Sequence, residues 1–356
     1  MQFLVINIVD RLDKVNYGIW QAAIATADVL LEKYGINTEL WYPEDHSQLP
    51  EYQYGNVKLV PVGRDIPEIE NPLQTIVVTH GCWQYPTRWG FALHNRGIKW
   101  VYIPHGMLEP WSLSQKWIRK FLYFNLIEKQ ISKRADAVRA VGKPEFNNLS
   151  STFKNVFHIP NGCKSIPFKS KEWDTKTLQF LFMARLHKKK GILPLVNAWK
   201  ESKLNNNKKY KLVIAGPDDG ELQNLEKELE SGTSNIDYIG LAYAQKKNSL
   251  LKNSHFYILP SFSEGFPTSV VEAMQYGLIP IISEGCNFPE TFENNIAFKV
   301  SPEKMTIKNM LEELSTQNPE RLSELSLKAS QFITQNYSLE IIAHKQFELY
   351  KLLLGL

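Results

Sequence analysis

The sequence has 356 residues, of which 43% are hydrophobic and 22% are charged, and its formal net charge is +4. This length allows two domains of ordinary size, and the composition is that of a globular protein with a hydrophobic core, which excludes a disordered chain. The small positive excess does not indicate a nucleic-acid-binding protein, although it suits anionic ligands or an anionic membrane surface. No apolar run approaches the ~18 residues of a bilayer-spanning helix.

Three cysteines and the first residues of the chain bear on its compartment. Cys82, Cys163 and Cys286 lie far apart and show no metal-ligand spacing, so we expect reduced thiols in a cytoplasmic protein. The first ten residues (MQFLVINIVD) lack the basic segment of a secretory signal and are predicted to form a β-strand.

Short apolar runs alternate with segments of helical periodicity along the whole chain. The strands predicted in the first half are 2–8, 37–41, 75–79, 100–103, 137–141 and 156–159. Those predicted in the second half are 178–183, 211–215, 236–239, 256–259 and 279–282. The predicted helices between them include 19–34, 111–134, 222–229 and 270–277. Continuous apolar strands that alternate with helices indicate α/β domains with parallel sheets covered on both faces.

Residues 160–175 (PNGCKSIPFKSKEWDT) interrupt this alternation, because they are rich in turn-forming and polar residues. We therefore predict two doubly wound, Rossmann-like domains at 1–165 and 166–335. Residues 336–356 are predicted to form a last helix with Ser338 as its N-cap. Because open parallel sheets bind ligands at the carboxyl ends of their strands, we expect the active site in the cleft between the two domains.

The strongest functional motif is FYILPSFSEGFPTSVVEAMQYG, residues 256–277. It predicts a strand, a glycine-containing loop and a helix that begins near Thr268. The N-terminus of a helix after such a loop binds anions, because its free backbone N–H groups and the helix dipole both favour negative charge. Glu264 in the loop and Glu272 one turn into the helix are placed to accept hydrogen bonds from hydroxyl groups on either side of a phosphate. The alternative is that Thr268 is the N-cap of this helix and that Glu272 is a solvent-exposed helix residue without a ligand.

The string Glu264-Gly-Phe-Pro-x4-Glu272 resembles the signature of the retaining GT-B glycosyltransferases of family 4, and the resemblance extends over nearly the whole chain. It implies a GT-B fold, with two facing Rossmann-like domains and a C-terminal helix that packs back on the first. It also implies that Glu264 contacts hydroxyls of the donor sugar and that Glu272 holds the nucleotide ribose. Pro267 stands where many relatives have a second small residue. The backbone donors that we expect to remain available to the donor are those of Gly265, Phe266 and Thr268.

A second motif, LFMARLHKKKG at 181–191, places two cations after a predicted strand. Arg185 offers a planar fork of donors and Lys190 a mobile point charge, which together can neutralise a diphosphate without a metal ion. Both would then stabilise the leaving nucleotide in the transition state. The matching family motif supports this assignment, whereas Lys188 and Lys189 are expected to be solvated.

Two motifs in the first domain are weaker. Loop 10–18 (DRLDKVNYG) resembles the family's N-terminal glycine loop, which implies that Gly18 approaches the donor phosphate. His105, in the string IPHGMLEPW, follows a predicted strand; a lone histidine is often structural, but the resemblance implies that it faces the donor sugar. The same string resembles a subgroup that makes bacterial surface polysaccharides. For His80, which follows the preceding strand, a structural role and a place on the acceptor side both stay open.

Backbone groups are expected to bind the nucleotide. Gly216, in the string AGPDDG after a predicted strand, is expected to line the pocket, and the two acids that follow it are as readily solvent-facing. In relatives the base is bound by backbone groups after the next strand, which implies Gly240 and Leu241 here. Because backbone contacts leave no side-chain pattern, the sequence does not identify the base.

Residues 111–134 (WSLSQKWIRKFLYFNLIEKQISKR) are predicted to form a helix that mixes aromatic and basic side chains. Such a helix either packs its aromatic residues on the sheet or rests on an anionic membrane surface. We expect the packed arrangement, with peripheral membrane contact as the alternative.

These features together predict a metal-independent, retaining glycosyltransferase without a cofactor or a nucleic-acid partner. It would move a sugar from a UDP- or GDP-linked donor to a saccharide hydroxyl, free or lipid-linked, in the synthesis of capsule, O-antigen or another surface polysaccharide. No residue has the pattern of a double-displacement nucleophile, in agreement with the front-face mechanism that the resemblance implies. The alternatives are a nucleotide-sugar epimerase of the same fold and a non-catalytic sugar-binding relative. A NAD-dependent dehydrogenase is disfavoured, because Gly-x-Gly-x-x-Gly does not follow the first strand.

Overall fold

A computed structural model describes residues 3–13, 16–46, 54–114, 117–230 and 235–356. The chain divides into two compact units. Unit 1 contains Met1–Gly162 and Tyr337–Leu356, and unit 2 contains Cys163–Asn336. The boundary that the sequence analysis sets at 165/166 therefore falls at 162/163, and the last helix begins within unit 1.

Unit 1 is built on a parallel sheet that has seven strands among the described residues. Its strands are β1 (Leu4–Val9), β2 (Asn37–Pro43), β3 (Val57–Val62), β4 (Thr75–His80), β5 (Lys99–Ile103), β6 (Ala137–Ala140) and β7 (Val156–His158). They lie in the order β3-β2-β1-β4-β5-β6-β7, and each neighbouring pair is parallel. Every residue of β4 is buried, as expected for a central strand with both faces covered.

The helices of unit 1 before the domain boundary are short. They are α1 (Tyr17–Ile24), α2 (Ala27–Tyr34), α3 (Tyr85–His94), α4 (Pro110–Ser114), α5 (Trp117–Tyr123), a π-helical turn (Phe124–Glu128), α6 (Lys129–Ser132) and α7 (Lys143–Ser150). Single 3₁₀ turns lie at Glu44–His46 and Pro72–Gln74. No helix in the described part of the whole chain is long and apolar enough to cross a membrane.

Unit 2 repeats the plan with a parallel sheet of six described strands. These are β8 (Leu178–Met183), β9 (Tyr210–Ala215), β10 (Ile236–Tyr238), β11 (Phe256–Leu259), β12 (Ile279–Ile282) and β13 (Phe298–Lys299), in the order β10-β9-β8-β11-β12-β13. Its helices are α8 (Ile192–Glu201), α9 (Leu222–Glu230), α10 (Ala244–Asn253), α11 (Thr268–Gln275), α12 (Glu290–Glu293), α13 (Lys304–Leu314) and α14 (Pro319–Asn336). The 3₁₀ turns of this unit are Lys188–Lys190 and Glu284–Cys286.

The last helix, α15 (Leu339–Leu354), packs on unit 1 as predicted. The Ser338 hydroxyl accepts a hydrogen bond from the backbone N–H of Ile341, so the predicted N-cap is confirmed. The Thr26 hydroxyl donates to the Gln346 side chain at 2.6 Å, which ties the junction of α1 and α2 to α15.

Strand predictions succeeded where a strand is buried on both faces. The bounds of β8, β11 and β12 are those predicted, because each is a continuous apolar run between polar segments. The strands β3 and β13 were missed, since both are edge strands and carry exposed residues, including Lys58 and Pro61 in β3.

One of the two long helices predicted in unit 1 is wrong as a single element. The helix predicted at 19–34 is interrupted between α1 and α2, where the Thr26 side chain is hydrogen-bonded to α15. The helix predicted at 111–134 is confirmed over 117–132, where α5, the π-helical turn and α6 follow one another without a break, and α4 covers residues 110–114. The predicted ranges at 2–8, 10–18 and 111–134 include residues 2, 14–15 and 115–116, which lie outside the described residues.

Candidate functional site

The carboxyl ends of four neighbouring strands of unit 2 carry most of the predicted site residues. Because the sheet order is β10-β9-β8-β11, the segments that follow these strands meet at one edge of the sheet. Three ion pairs lie there, and we call their six residues the charged cluster. Its members are Arg185, Lys190, Asp219, Lys247, Glu264 and Glu272.

Lys190 and Glu264, predicted separately, form one ion pair. The Lys190 ammonium lies 2.6 Å from both carboxylate oxygens of Glu264, and the two side chains are only 14% and 10% exposed. The Glu264 backbone is fixed as well, because its N–H donates to Gly285 O at 2.7 Å and its carbonyl accepts from the Asn287 side chain at 2.6 Å. The carboxylate thus has a fixed position and a compensated charge.

The loops that carry this pair are joined by backbone contacts. The carbonyl of Lys189 accepts hydrogen bonds from Phe262 N at 2.8 Å and from the Ser261 hydroxyl at 3.0 Å. Gly191 ends the 3₁₀ turn at φ 71°, and a Cβ there would lie 2.1 Å from the carbonyl oxygen of Pro260. Glycine is therefore required at position 191 for the two loops to approach each other.

Arg185 follows β8 and pairs with an acid that sequence reasoning did not single out. Its Nη1 donates to Asp219 Oδ2 at 2.6 Å, and 43% of the Arg185 side chain stays exposed. Asp219 is one of the two acids after Gly216 for which solvent was an open alternative. The backbone N–H of Asp219 donates to Leu186 O at 3.1 Å, which places the acid beside the arginine.

Gly216, Gly240 and Leu241 lie together, after β9 and β10. Gly216 has φ 149°, and a Cβ at this position would lie 1.8 Å from the carbonyl oxygen of Ala184. Its N–H donates to Gly240 O at 2.9 Å, and its carbonyl accepts from the Tyr238 hydroxyl at 3.1 Å. Leu241 is among the exposed apolar residues. The three residues predicted to line a nucleotide pocket thus lie next to one another, with Gly216 buried and Leu241 exposed.

The start of α11 corrects one prediction. Pro267 precedes the helix with φ −86° and ψ 71°, the conformation of an inverse γ-turn. In this turn Thr268 N donates to Phe266 O at 3.0 Å. The Thr268 N–H is therefore engaged within the loop, and the expectation that it stays available to a donor is wrong. Gly265 and Phe266 lie in the same loop, directly after Glu264.

Glu272 lies on α11, and its partner was not predicted. Lys247 Nζ donates to Glu272 Oε1 at 2.7 Å, and both side chains are largely buried. Lys247 belongs to α10, a polar helix whose lysines look like a solvated face in the sequence. No local pattern could have linked it to a glutamate 25 residues away.

In unit 1, Gly18 does not lie in a loop. It belongs to the first turn of α1, and a Cβ added there would meet nothing within 4 Å. The contacts within the protein therefore do not require glycine at position 18, in contrast to Gly191 and Gly216.

His105 and His80 are brought together, and a third side chain joins them. His80 Nδ1 lies 2.9 Å from His105 Nε2, and His80 Nε2 lies 2.9 Å from Asn7 Oδ1. We call Asn7, His80 and His105 the histidine chain. Burial, with Arg139 adding to it, lowers the pKa of His105 to about 3, and burial likewise holds the pKa of His80 well below its ordinary value. Both rings are neutral at pH 7.

A buried glutamate that sequence reasoning missed fixes the turn that holds His105. His105 and Gly106 have φ of 52° and 72°. Glu145 accepts hydrogen bonds from Gly106 N at 2.6 Å and from Val141 N at 2.8 Å, one on each carboxyl oxygen. Burial raises the pKa of Glu145 to about 7. A non-glycine residue in the left-handed region costs about 1 kcal/mol or more, so the surrounding contacts must hold it.

Residues 164–331 match the family model of the glycosyl transferases group 1. The matched segment lies within unit 2 and contains the whole charged cluster. The chain is a glycosyltransferase, and the segment 164–331 is similar to group 1 of these enzymes. The resemblance that the glutamate motif predicted is thereby confirmed for this segment.

The curated relatives of this glycosyltransferase are distant. An "uncharacterized glycosyltransferase" of Haemophilus influenzae is 28% identical over 280 residues, which are 77% of this chain and 75% of that protein. The amylovoran biosynthesis glycosyltransferase AmsK of Erwinia amylovora is 28% identical over 218 residues, or 59% of this chain. The chain spans 47% of the length of AmsK and at most 57% of two other curated relatives.

Solved structures confirm the predicted GT-B fold. Anabaena HepE, in complex with UDP-glucose, has a TM-score of 0.76 at 15% identity, over 97% of this chain and 98% of that one. WaaG, a glycosyltransferase involved in lipopolysaccharide biosynthesis, has a TM-score of 0.70 at 11% identity, over 99% of this chain and all of the other. At such low identities the likeness concerns the fold alone.

Proposed function

We propose that this chain is a retaining glycosyltransferase that moves a sugar from a nucleotide-diphosphate sugar to a saccharide hydroxyl during the synthesis of a surface polysaccharide. The charged cluster is the observation that carries this proposal. It places three cations and three carboxylates at the strand ends of unit 2, where a charged diphosphate and the hydroxyls of a sugar and a ribose could all be bound.

The residues divide into donor-binding and charge-stabilising groups. Glu264 accepts hydrogen bonds from the sugar hydroxyls, and Lys190 holds its carboxylate in place. Arg185, the most exposed cation of the three pairs, and Lys190 stabilise the diphosphate as it leaves. The departing phosphate takes the acceptor proton on the same face of the sugar, so the anomeric configuration is retained. His105 contacts a hydroxyl of the donor sugar.

The nucleotide is assigned to the surface after β9 and β10. Glu272 accepts hydrogen bonds from the ribose hydroxyls, and Lys247 holds it in the geometry to do so. Gly216 and Gly240 line the nucleotide pocket, and the exposed Leu241 packs on the base. HepE was solved with UDP-glucose, which makes UDP-sugars the first donors to test.

Arg185 and Lys190, the two cations assigned to the diphosphate, also support a metal-independent reaction. Transfer should proceed at an unchanged rate after dialysis against EDTA, and added Mg²⁺ or Mn²⁺ should not raise kcat. A rate that disappears with chelation and returns with a divalent cation would overturn this part of the proposal.

A donor screen tests the proposed function directly. Thermal shifts with UDP-, GDP-, ADP- and CMP-sugars should reveal one stabilising class, since a ligand that binds only the folded state raises its stability. Product formed from that donor alone, without an acceptor, would instead indicate an epimerase. Donor binding without hydrolysis or transfer across a panel of saccharide acceptors would indicate a non-catalytic relative.

We further propose that the segment from α5 to the π-helical turn rests on an anionic membrane surface. Six large apolar side chains there are exposed, from 42% for Ile127 to 71% for Leu126, and Trp117 and Phe121 are near 60%. Phe124 of this segment packs against the core beneath, as do Leu113 before it and Ile131 after it. The expectation that the apolar side chains of this segment pack on the sheet is therefore correct for only a part of them.

Charge supports an anionic partner for this surface. Arg119, Lys133 and Arg134 are exposed, whereas Glu128, which is the single acid within 111–134, is buried. Exposed aromatic residues beside unopposed cations are typical of interfacial helices. Such contact would suit a lipid-linked saccharide acceptor.

Flotation with vesicles tests the membrane contact. The protein should float with vesicles that contain 30 to 40% anionic lipid, about that range being enough for electrostatic attraction, and salt should weaken the binding. The double variant Trp117→Ser/Phe121→Ser should remain at the bottom of the gradient. Leu73→Ser is the matched control, because Leu73 is 85% exposed but lies outside the segment. Equal flotation of all three proteins, or of none, would contradict the proposal.

A further inference from the structure

The histidine chain runs across three neighbouring strands of the unit 1 sheet. Asn7 lies in β1, His80 is the last residue of β4, and His105 follows β5 by two residues. β4 lies between β1 and β5, and His80 pairs in register with Val9 and Ile103. Because side chains alternate along a strand, Asn7 and Val9 share a face, which brings the amide of Asn7 to the His80 ring.

Because the histidine chain is shielded from water, its hydrogen bonds determine which ring nitrogens carry a proton. Asn7 and His80 are 4% and 2% exposed, so each hydrogen bond between the three side chains must be satisfied within the protein. The Asn7 oxygen can only accept, so His80 Nε2 carries a proton. A neutral imidazole has one N–H, which makes His80 Nδ1 an acceptor and obliges His105 Nε2 to donate to it.

We propose that Asn7 and His80 are positioning residues that hold His105 in the Nε2–H tautomer, so that His105 Nδ1 is the ring atom that accepts a hydrogen bond from a sugar hydroxyl. The rings of His80 and His105 are nearly parallel, with an angle of 24° between their planes. The histidine is thus fixed twice, by its ring nitrogen through His80 and by its backbone through Glu145 and Gly106.

The residue at the far end of the histidine chain, Asn7, determines which role His105 can have. An aspartate at position 7 would stabilise a positive charge on the histidines, whereas the Asn7 amide is neutral and cannot take up a proton. His105 is therefore a fixed hydrogen-bond acceptor that orients a hydroxyl, and the histidine chain is not a route for removing a proton from the substrate.

Nitrogen-15 NMR of the histidine-labelled full chain tests the proton order without any substrate. Two-bond nitrogen–hydrogen correlations distinguish protonated from unprotonated ring nitrogens, and His80→Gln and His105→Gln identify the two sets of signals. We expect both histidines as single Nε2–H tautomers at pH 7.5. A proton on Nδ1 of His80, as an Asn7 amide turned to present its nitrogen would require, overturns the proposal, and so does a mixture of tautomers.

A kinetic cycle tests the consequence for transfer. Asn7→Leu removes the acceptor at similar volume and should lower kcat/KM about tenfold. In the His105→Gln background the same change should have no further effect, because the two act through one contact. Ile8→Val, on the adjacent residue of β1, controls for loosening of the strand and should leave kcat/KM unchanged. Equal losses from Asn7→Leu in both backgrounds would reject a positioning role.

This inference rests on the proposed function only in the contact between His105 and a sugar. If His105→Gln transfers sugar at the normal rate while NMR shows the expected tautomers, the role assigned to His105 in the reaction fails and the proton order stands. If the observed tautomers are not the expected Nε2–H forms while His105→Gln is inactive, the role of His105 in the reaction stands and the proposed proton order of the histidine chain fails.

Discussion

The strand ends of the two units carry different kinds of polar groups, although both units are built on parallel sheets. In unit 2 the charged cluster consists of ion pairs that are partly open to solvent. In unit 1 the histidine chain is neutral and linked by single hydrogen bonds, with Asn7 and His80 buried and His105 partly buried. Paired charges can exchange partners with an anionic ligand, whereas neutral groups in a fixed order can orient hydroxyls without attracting charge. The same architecture thus offers one edge suited to a diphosphate and another suited to a sugar.

Removing a cation from the charged cluster should have the largest effect. Arg185→Ala or Lys190→Ala should lower kcat about 100-fold or more, because charge that develops on the leaving diphosphate loses a fixed partner. Steady-state transfer assays measure this, and circular dichroism should show an intact fold. Lys188→Ala is the control and should retain activity, because Lys188 is the exposed first residue of the turn that contains Lys190. Near-normal activity in both cluster variants would count against the assignment.

The Lys190–Glu264 pair should also contribute to stability. Lys190→Met should lower the free energy of unfolding by about 1–3 kcal/mol, because it leaves the largely buried Glu264 carboxylate without its counter-charge. Adding Glu264→Gln removes the uncompensated charge and should recover much of this loss, while activity stays absent. Urea unfolding of the single and double variants measures the difference. A double variant less stable than Lys190→Met would show that the pair is not the source of the effect.

The histidine chain should make unit 1 sensitive to acid. The folded-state pKa values of His80 and His105 lie below those of the unfolded chain, so the unfolded state binds more protons between pH 6.5 and about 3. Their contribution to stability is therefore present above pH 6.5 and is lost as the pH falls towards the folded pKa values. The variant His80→Gln/His105→Gln should unfold with a shallower dependence on pH between 4.5 and 7. An unchanged slope would mean that the two histidines are not neutral in the folded state.

The smallest expected effect concerns the nucleotide. Lys247→Met should raise the KM for the donor about three- to tenfold with little change in kcat, since Glu272 keeps its carboxylate but loses the partner that orients it. Lys252→Met, on the same helix, should leave KM unchanged. A fall in kcat at constant KM would place Lys247 with the reacting groups instead of the nucleotide.

Site residues could be predicted where a local motif marks them, and could not where their importance depends on a partner far away in the sequence. Arg185, Lys190, Glu264 and Glu272 could be selected from the sequence, because each lies next to a strand with a clear apolar pattern and within a recognisable motif. Asp219, Lys247, Asn7 and Glu145 could not, since each is one polar residue among many in its own segment. Their importance depends on partners such as Glu272, 25 residues from Lys247, or His80, 73 residues from Asn7.

The sequence by itself determined the α/β alternation, the strands buried on both faces, the cap of the last helix and the glutamate motif of group 1 glycosyltransferases, because all of these are local patterns of hydrophobicity, hydrogen-bonding side chains and spacing. Tertiary structure decided which charge meets which. It paired Lys190 with Glu264 over 74 residues, engaged the Thr268 N–H inside its own loop, and ordered Asn7, His80 and His105 across three strands. The physical reason is that a hydrogen bond or ion pair depends on distances of about 3 Å, which only the packing of the sheets establishes.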